Sequence, residues 1–278
     1  MVGNQFTIKK EIEYFGRGLF TGKNILLKLS PLKDDSGIIF KRIDKDIVIE
    51  ASLKNVKQTP RCTSLISNNN IIYTVEHILS ALHAYGIDNI LIEVDGPEIP
   101  IGDGSAKIFI DLIEKAKIKK QNKLKNPIII QKPIYYSKND VHLIALPYDG
   151  FKVSFTMHFD NSKYLKSQYF SLDVDSNSFK KEIALSRTFA IYEEIEPLLR
   201  NKTIMGGSLD CAIVIKDNKI ANPEGVRFDD EMVRHKILDL IGDLNLIGRP
   251  IKGHIIAIRS GHDSNILFAK EIYNAVCR

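Results

Sequence analysis

NIIYTVEHILSALHAYGIDNILIEVDG (70–96) changes its hydrophobic period partway along. Over 70–87 the residues Val75, Ile78, Leu79 and Leu82 recur at helical spacing and form one apolar stripe, whereas NILIEVDG (89–96) has strand character. Upstream, ILLKLSPL (25–32) and DIVIEASL (46–53) alternate or run apolar like strands; downstream, SAKIFIDLIEKAKI (105–118) reads as a second helix. The second half opens with NPIIIQKPIYY (126–136) and HLIALPY (142–148) and continues through FKVSFTMHF (151–159). It places a helix at DEMVRHKILDLIGDLNLIG (230–248), then HIIAIRSGHDSN (254–265), a strand running into a loop. Strands interleaved with a few helices, in two balanced halves, indicate α+β or α/β layers.

At 278 residues the chain is long enough for about two domains. The basic stretch EKAKIKKQNKLKNP (114–127) lacks aromatics and ends in Asn-Pro, so it reads as a solvated linker. It divides the chain into 1–118 and 126–278, with 119–125 between them. A composition of 44% hydrophobic and 26% charged residues excludes a disordered chain, a collagen-like fibre and a disulfide scaffold. Three cysteines (Cys62, Cys211, Cys277) without a CxxC pair argue against a disulfide framework or zinc ribbon, so a reducing, cytoplasmic setting is expected. MVGNQFTIKKEIEY (1–14) has no apolar h-region, and no charge-free run of about 18 apolar residues occurs, so neither a secretory signal nor membrane insertion is expected. The net charge of +5 fits nucleic acid, a membrane surface or a phosphate-bearing metabolite, and is too dispersed to choose among them. An RNA-binding protein would lack its usual signals here, since no RNP-like aromatic motif or GxxG clamp is present.

The helix around residue 235 gathers Val233, Ile237, Leu240, Ile241, Leu244 and Ile247 on one face and sets His235, Asp239 and Asp243 opposite. That polar face could simply be solvated. Yet His235 and Asp239 stand at i and i+4, so both side chains reach one point, as a helical metal site requires. Gly242, mid-helix on the same face, costs about 1 kcal/mol relative to Ala and makes sense where something approaches closely. A third ligand must come from elsewhere. His77, beside Glu76 on the other helix, is a sensible donor, although Glu-His alone is a weak signal and by itself reads as two exposed polar residues. Two His and one Asp leave a fourth zinc position open, and the adjacent Glu76 could serve as a base. The pair Val75-Glu76-His77 and Val233-Arg234-His235 rhyme, which hints at a duplication without proving it. His262 follows a strand and a glycine, where a loop histidine is usually surface decoration; His83 reads as a solvated helix position. Cys62 in TPRCTSL could lie near the site but would be redundant as a metal ligand, and Cys211 reads as core.

TVEHILSALHAYGIDN (74–89), PEIPIGDGSA (97–106), SRTF (186–189), RHKILDLIGDL (234–244) and SGHDSN (260–265) occur in one order along nearly the whole chain, from GRGLFTG (16–22) onward. Together they resemble the UDP-3-O-acyl-N-acetylglucosamine deacetylases, the zinc enzymes of lipid A biosynthesis in Gram-negative bacteria. The resemblance implies an α+β fold of two similar domains, each a β-sheet layered against two helices, with the active site between them. It implies hydrolysis of the N-acetyl group of a 3-O-acylated UDP-sugar, the committed step of the pathway; a monomer with no nucleic-acid partner is expected. By motif, His77, His235 and Asp239 resemble the zinc ligands and Glu76 the general base. His262 resembles the charged histidine that stabilises the oxyanion and protonates the amine, with Asp243 orienting it. Thr188 would donate a hydroxyl to the oxyanion, Lys236 would meet the substrate's polar head, and Phe159 and Phe189 would contact substrate. The segment 189–208, with Ile191, Ile195, Leu198, Leu199, Ile204 and Met205, resembles the insert that walls a passage for the acyl chain; on spacing alone it is equally a plain amphipathic helix. The sequence departs from the family pattern at Phe20, where histidine is usual, and at Asn161-Ser162, where a His-Pro pair is usual. A zinc amidohydrolase of another N-acylated sugar would share the metal site and differ in that insert.

Overall fold

The computed structural model describes residues 3–160, 162 and 164–277; Asn161 lies outside them. The first half runs β1 (Asn4–Ile8), β2 (Ile12–Arg17), β3 (Asn24–Pro31), β4 (Ile38–Arg42), β5 (Ile47–Glu50), β6 (Val56–Thr59), β7 (Cys62–Ser67), β8 (Asn70–Ile72), α1 (Glu76–Ala84), β9 (Ile90–Val94), α2 (Lys107–Ala116) and β10 (Ile118–Leu124). Next come β11 (Ile128–Ile129), β12 (Ile134–Lys138), β13 (Val141–Leu146), β14 (Phe151–His158), β15 (Ser167–Asp173) and the short α3 (Ser176–Ser178). The chain then passes through β16 (Phe189–Ile191), α4 (Tyr192–Arg200), β17 (Ile213–Lys216), β18 (Lys219–Ile220), α5 (Glu231–Asn245), β19 (Ile251–Ile258) and α6 (His262–Cys277). The fold is α+β, with several sheets and few helices.

The two large sheets share one plan. Strand order is β2-β3-β9-β4-β5 in the first and β12-β13-β19-β14-β15 in the second, where β11 also pairs with β19. In each, the central strand comes last in sequence and lies antiparallel to one neighbour and parallel to the other. In each, a helix precedes that central strand (α1, α5) and another follows it (α2, α6). The rhyming His77 and His235 sit on the corresponding helices. Period-two burial drives both sheets: Ile90, Ile92 and Val94 point inward from β9, and Ile251, Gly253, Ile255 and Ala257 from β19.

Two expectations need correction. Residues 119–125 are not a loose linker: through Leu124 they belong to β10, which pairs antiparallel with β1 in the register Thr7↔Lys119 and Ile8↔Ile118. Lysines signal solvent on their side chains, not an unpaired backbone, and Gln121 is buried there, donating to the Leu32 carbonyl at 3.0 Å. His262 does not sit in a loop; it is the first residue of α6. On α5 the structure decides between the two readings of the polar face, and against the solvated one. His235, Asp239 and Asp243 are all buried, because α1 packs across that face. Gly242 permits the approach: a Cβ there would stand 2.1 Å from the backbone oxygen of Glu76. The close neighbour the glycine accommodates is thus the helix α1 itself.

Candidate active site

Where α1 crosses α5, His77, His235 and Asp239 bring one donor atom each to within 4.8 Å of one another. Nε2 of His235 lies 3.3 Å, and Nε2 of His77 3.8 Å, from Oδ1 of Asp239. The imidazoles meet edge to face with centroids 5.0 Å apart. Nδ1 of His235 lies 3.1 Å from the Ser186 carbonyl, which can only accept, so the proton sits on Nδ1 and the Nε2 lone pair faces the cluster. Asp239 divides its oxygens: Oδ2 accepts from Lys236 Nζ at 2.7 Å and Oδ1 is left to the histidines.

These residues suit a divalent cation. Burial, reinforced by His235, pushes the His77 imidazole down to about 3, and burial also lowers His235, so both rings are neutral and each could offer a lone pair. Burial works to raise Asp239, but Lys236, His235, His262 and His77 outweigh it and hold the carboxyl well below its usual range. Donors on a tetrahedral ion, at bond lengths of about 2.0–2.2 Å, lie about 3.4 Å apart, close to the 3.3 and 3.8 Å found. Nδ1 of His77, on the side of the ring away from Asp239, is buried with no hydrogen-bond partner among the described residues.

Glu76 begins α1 and is 2% exposed. Its Oε2 accepts from the Thr63 backbone at 3.0 Å. Burial lifts its carboxyl to about 8, with Asp239 and Asp243 adding to the rise and His262 opposing it. His262 Nδ1 lies 2.9 Å from Oδ2 of Asp243, which also accepts from Asn265 Nδ2 at 2.8 Å. Burial disfavours the imidazolium, yet Asp243, then Asp239 and Glu76, push His262 up to about 9. An imidazolium and a protonatable carboxylate therefore flank the three donors. Cys62, next to Thr63, is buried near Glu76, and its thiol is pushed up to about 11 by burial and that carboxylate, so it is inert at neutral pH.

Phe189 joins the cluster to an apolar cavity. Its ring lies 6.4 Å from His235 and 5.9 Å from Phe159. With Thr188, Phe20, Ile195, Leu199 and Ile204 it lines a space of about 290 Å³. Of the six apolar side chains expected to wall a passage, Ile195, Leu199 and Ile204 do so. Leu198 does not reach it, Met205 is half exposed, and Ile191 faces a separate cleft shared with Phe159 and Lys236. Lys236 thus reaches that cleft, but its ammonium is engaged by Asp239. Phe20 packs its ring 5.4 Å from Tyr73 on the cavity wall, which places this departure beside apolar surface.

Several contributors have no role that the sequence assigns. Ser186 and Asn265 lie inside SRTF and SGHDSN and Thr63 beside Cys62, and only the fold shows that the Ser186 carbonyl holds His235 while Asn265 and Thr63 both donate to Asp243. Thr63 could have been suspected from its place beside Cys62. The loop holding Asp103 is similar: Gly104 accepts from the Thr188 backbone at 2.8 Å, and a Cβ on Gly104, whose φ is +82°, would meet the Cys211 carbonyl at 2.0 Å. The GDG of PEIPIGDGSA therefore fixes Thr188 at the entry to β16, whose first residue is Phe189.

The family model for UDP-3-O-acyl N-acetylglycosamine deacetylase matches residues 5–274. The UDP-3-O-acyl-N-acetylglucosamine deacetylase of Chlamydia pneumoniae is 44% identical over 275 residues, covering 98% of both chains. That of Chlamydia caviae is 45% identical over 270 residues, covering 96% of each, and that of Chlamydia trachomatis serovar L2 is 42% identical over 273 residues, covering 98% and 96%. The chain belongs to this deacetylase family.

Proposed function

From that membership and the site just described, we propose that the chain hydrolyses the N-acetyl group of UDP-3-O-acyl-N-acetylglucosamine, releasing acetate and the free amine for lipid A synthesis. The observation that carries the reading is the placement of Glu76 and the Asp243–His262 pair around one three-donor cluster, beside an apolar cavity. Zinc is the proposed cofactor, held by His77, His235 and Asp239; when bound it supplies Lewis acidity, acidifying water and drawing charge from the amide carbonyl. Glu76 takes the proton of the attacking water, a role suited to a carboxyl poised near neutrality. His262, charged below about pH 9, stabilises the tetrahedral oxyanion and then gives its proton to the leaving amine, while Asp243 keeps the ring in place. The Thr188 hydroxyl is proposed as a second oxyanion donor. Phe159, Phe189 and Lys236 contact substrate, Lys236 through the same ammonium that now meets Asp239. The 3-O-acyl chain occupies the cavity behind Phe189.

We place the reaction in the cytoplasm of a Gram-negative cell and in a monomer, with each chain carrying a complete site. The free, buried Cys62 and Cys211 suit a reducing compartment. No helix is long and apolar enough to cross a membrane. The test is acetate release from UDP-3-O-acyl-N-acetylglucosamine, with and without a chelator. Release that stops with chelation and returns with zinc is expected; release untouched by metal removal would overturn the zinc reading.

A further inference from the structure

We propose that Thr63 is a positioning residue for this reaction: its hydroxyl locks the Asp243–His262 pair while its backbone holds Glu76, so that acid and base keep one spacing. The inference rests on the deacetylase reading above. Thr63 lies on β7 and is 2% exposed, and each of its polar groups is engaged. Its N–H donates to Glu76 Oε2 at 3.0 Å, and its carbonyl accepts from Val75 N, at the head of α1, at 3.1 Å. Its hydroxyl oxygen meets Oδ1 of Asp243 and lies 3.1 Å from Nδ1 of His262.

Proton counting fixes the direction of these bonds. The Asp243 carboxylate can only accept, so Thr63 spends its one hydroxyl proton on Oδ1. The hydroxyl then turns a lone pair to His262, whose Nδ1–H is shared between Asp243 Oδ2 at 2.9 Å and Thr63 Oγ1 at 3.1 Å. That keeps a proton on Nδ1 and reserves Nε2 for the proton that leaves with the amine. Among the described residues, Thr63 is the one donor to Oδ1 of a fully buried carboxylate. Removing the hydroxyl leaves that oxygen bare and lets the carboxylate turn, taking the ring with it. Thr63 and Glu76 belong to the first half of the chain and Asp243 and His262 to the second, so one residue, through its backbone N–H and its hydroxyl, ties the two groups across the halves.

The experiment compares Thr63→Val, which keeps the shape and loses the hydroxyl, with Thr63→Ser, which keeps the hydroxyl. In the zinc-loaded protein, Val should lower kcat about 10- to 100-fold with KM within about threefold, and Ser should recover most of it. Combined with His262→Ala, the Val change should add little further loss, because both act through one ring; losses that multiply would show a general structural effect and overturn the proposal. An NMR readout decides the matter apart from activity. The His262 Nδ1–H resonance should move and exchange faster with water in the Val variant and keep its place in the Ser variant. An unmoved resonance overturns the positioning role even if kcat falls. Absence of acetate release from the unmodified chain would sink the deacetylase reading, while a moved resonance would still support the contact.

Discussion

At Glu76, burial and the carboxylates of Asp239 and Asp243 raise the carboxyl while the His262 imidazolium draws it down. A cation at the neighbouring histidines would draw it down further, toward the ionised form a base requires. Glu76 is not one of the three donors, so Glu76→Ala should keep zinc and lose roughly 10²–10⁴-fold in turnover, the usual range for a general base. Asp239→Ala should instead lose metal and activity together, since it removes the one charged ligand and strands Lys236 beside two neutral rings. Elemental analysis of both variants separates the roles. At His262 the sign runs the other way. The proposed acid role needs the imidazolium, which Asp243 above all favours against the pull of burial, up to about pH 9. Activity should therefore fall on the alkaline side as that proton is lost. Asp243→Asn removes the largest support for the charge, so the alkaline limb of kcat/KM should move to lower pH; an unmoved limb would take His262 out of the acid role.

The helices α1 and α5 show how far sequence reaches toward such a site. The i, i+4 pair on α5 and the Glu-His on α1 are visible as residue types at a spacing, and the strand–helix alternation around them gives the layered fold. What spacing cannot show is that α1 lies across the polar face of α5, since amphipathicity describes one helix and its own sheet. For the same reason the lysines of β10 read as a linker, and His262, preceded by glycine, read as a loop residue when it begins a 16-residue helix. Gly242 was the one local sign of the crossing, although the sequence did not say what came near. The contact is backbone on one side, where little can yield. Gly242→Ala should thus push α1 off α5, destabilising the fold by about 1–3 kcal/mol as overpacking does and lowering activity through Glu76. Denaturant unfolding measures the first effect and acetate release the second. A fully stable, fully active alanine variant would mean that the two helices do not need this approach.

Across the whole molecule, the two halves meet a second time at the apolar cavity. Leu19 and Phe20 come from the first half, Thr188 through Val214 from the second. Backbone bonds cross the seam: Met205 N donates to the Phe20 carbonyl at 3.1 Å and Gly206 N to the Leu19 carbonyl at 2.9 Å, and Arg17 Nη2 adds a side-chain bond to the Met205 carbonyl at 3.2 Å. Glu98, fully buried, holds the near side by accepting from the Phe20 and Thr21 backbones, each at 2.8 Å. A wall fixed in this way offers an acyl chain a preformed apolar surface, and each methylene buried there is worth about 0.8 kcal/mol. Shortening the 3-O-acyl group by four methylenes should cost on the order of 3 kcal/mol, or about 10²-fold in kcat/KM. Leu199 and Ile204 line the space whereas Leu198 does not, so Leu199→Glu or Ile204→Glu should flatten that dependence and leave zinc content intact, while Leu198→Glu should leave it steep. Equal kcat/KM for short and long acyl substrates in the unmodified chain would mean that the cavity does not hold the acyl group. The same metal chemistry would then have to serve some other N-acylated sugar.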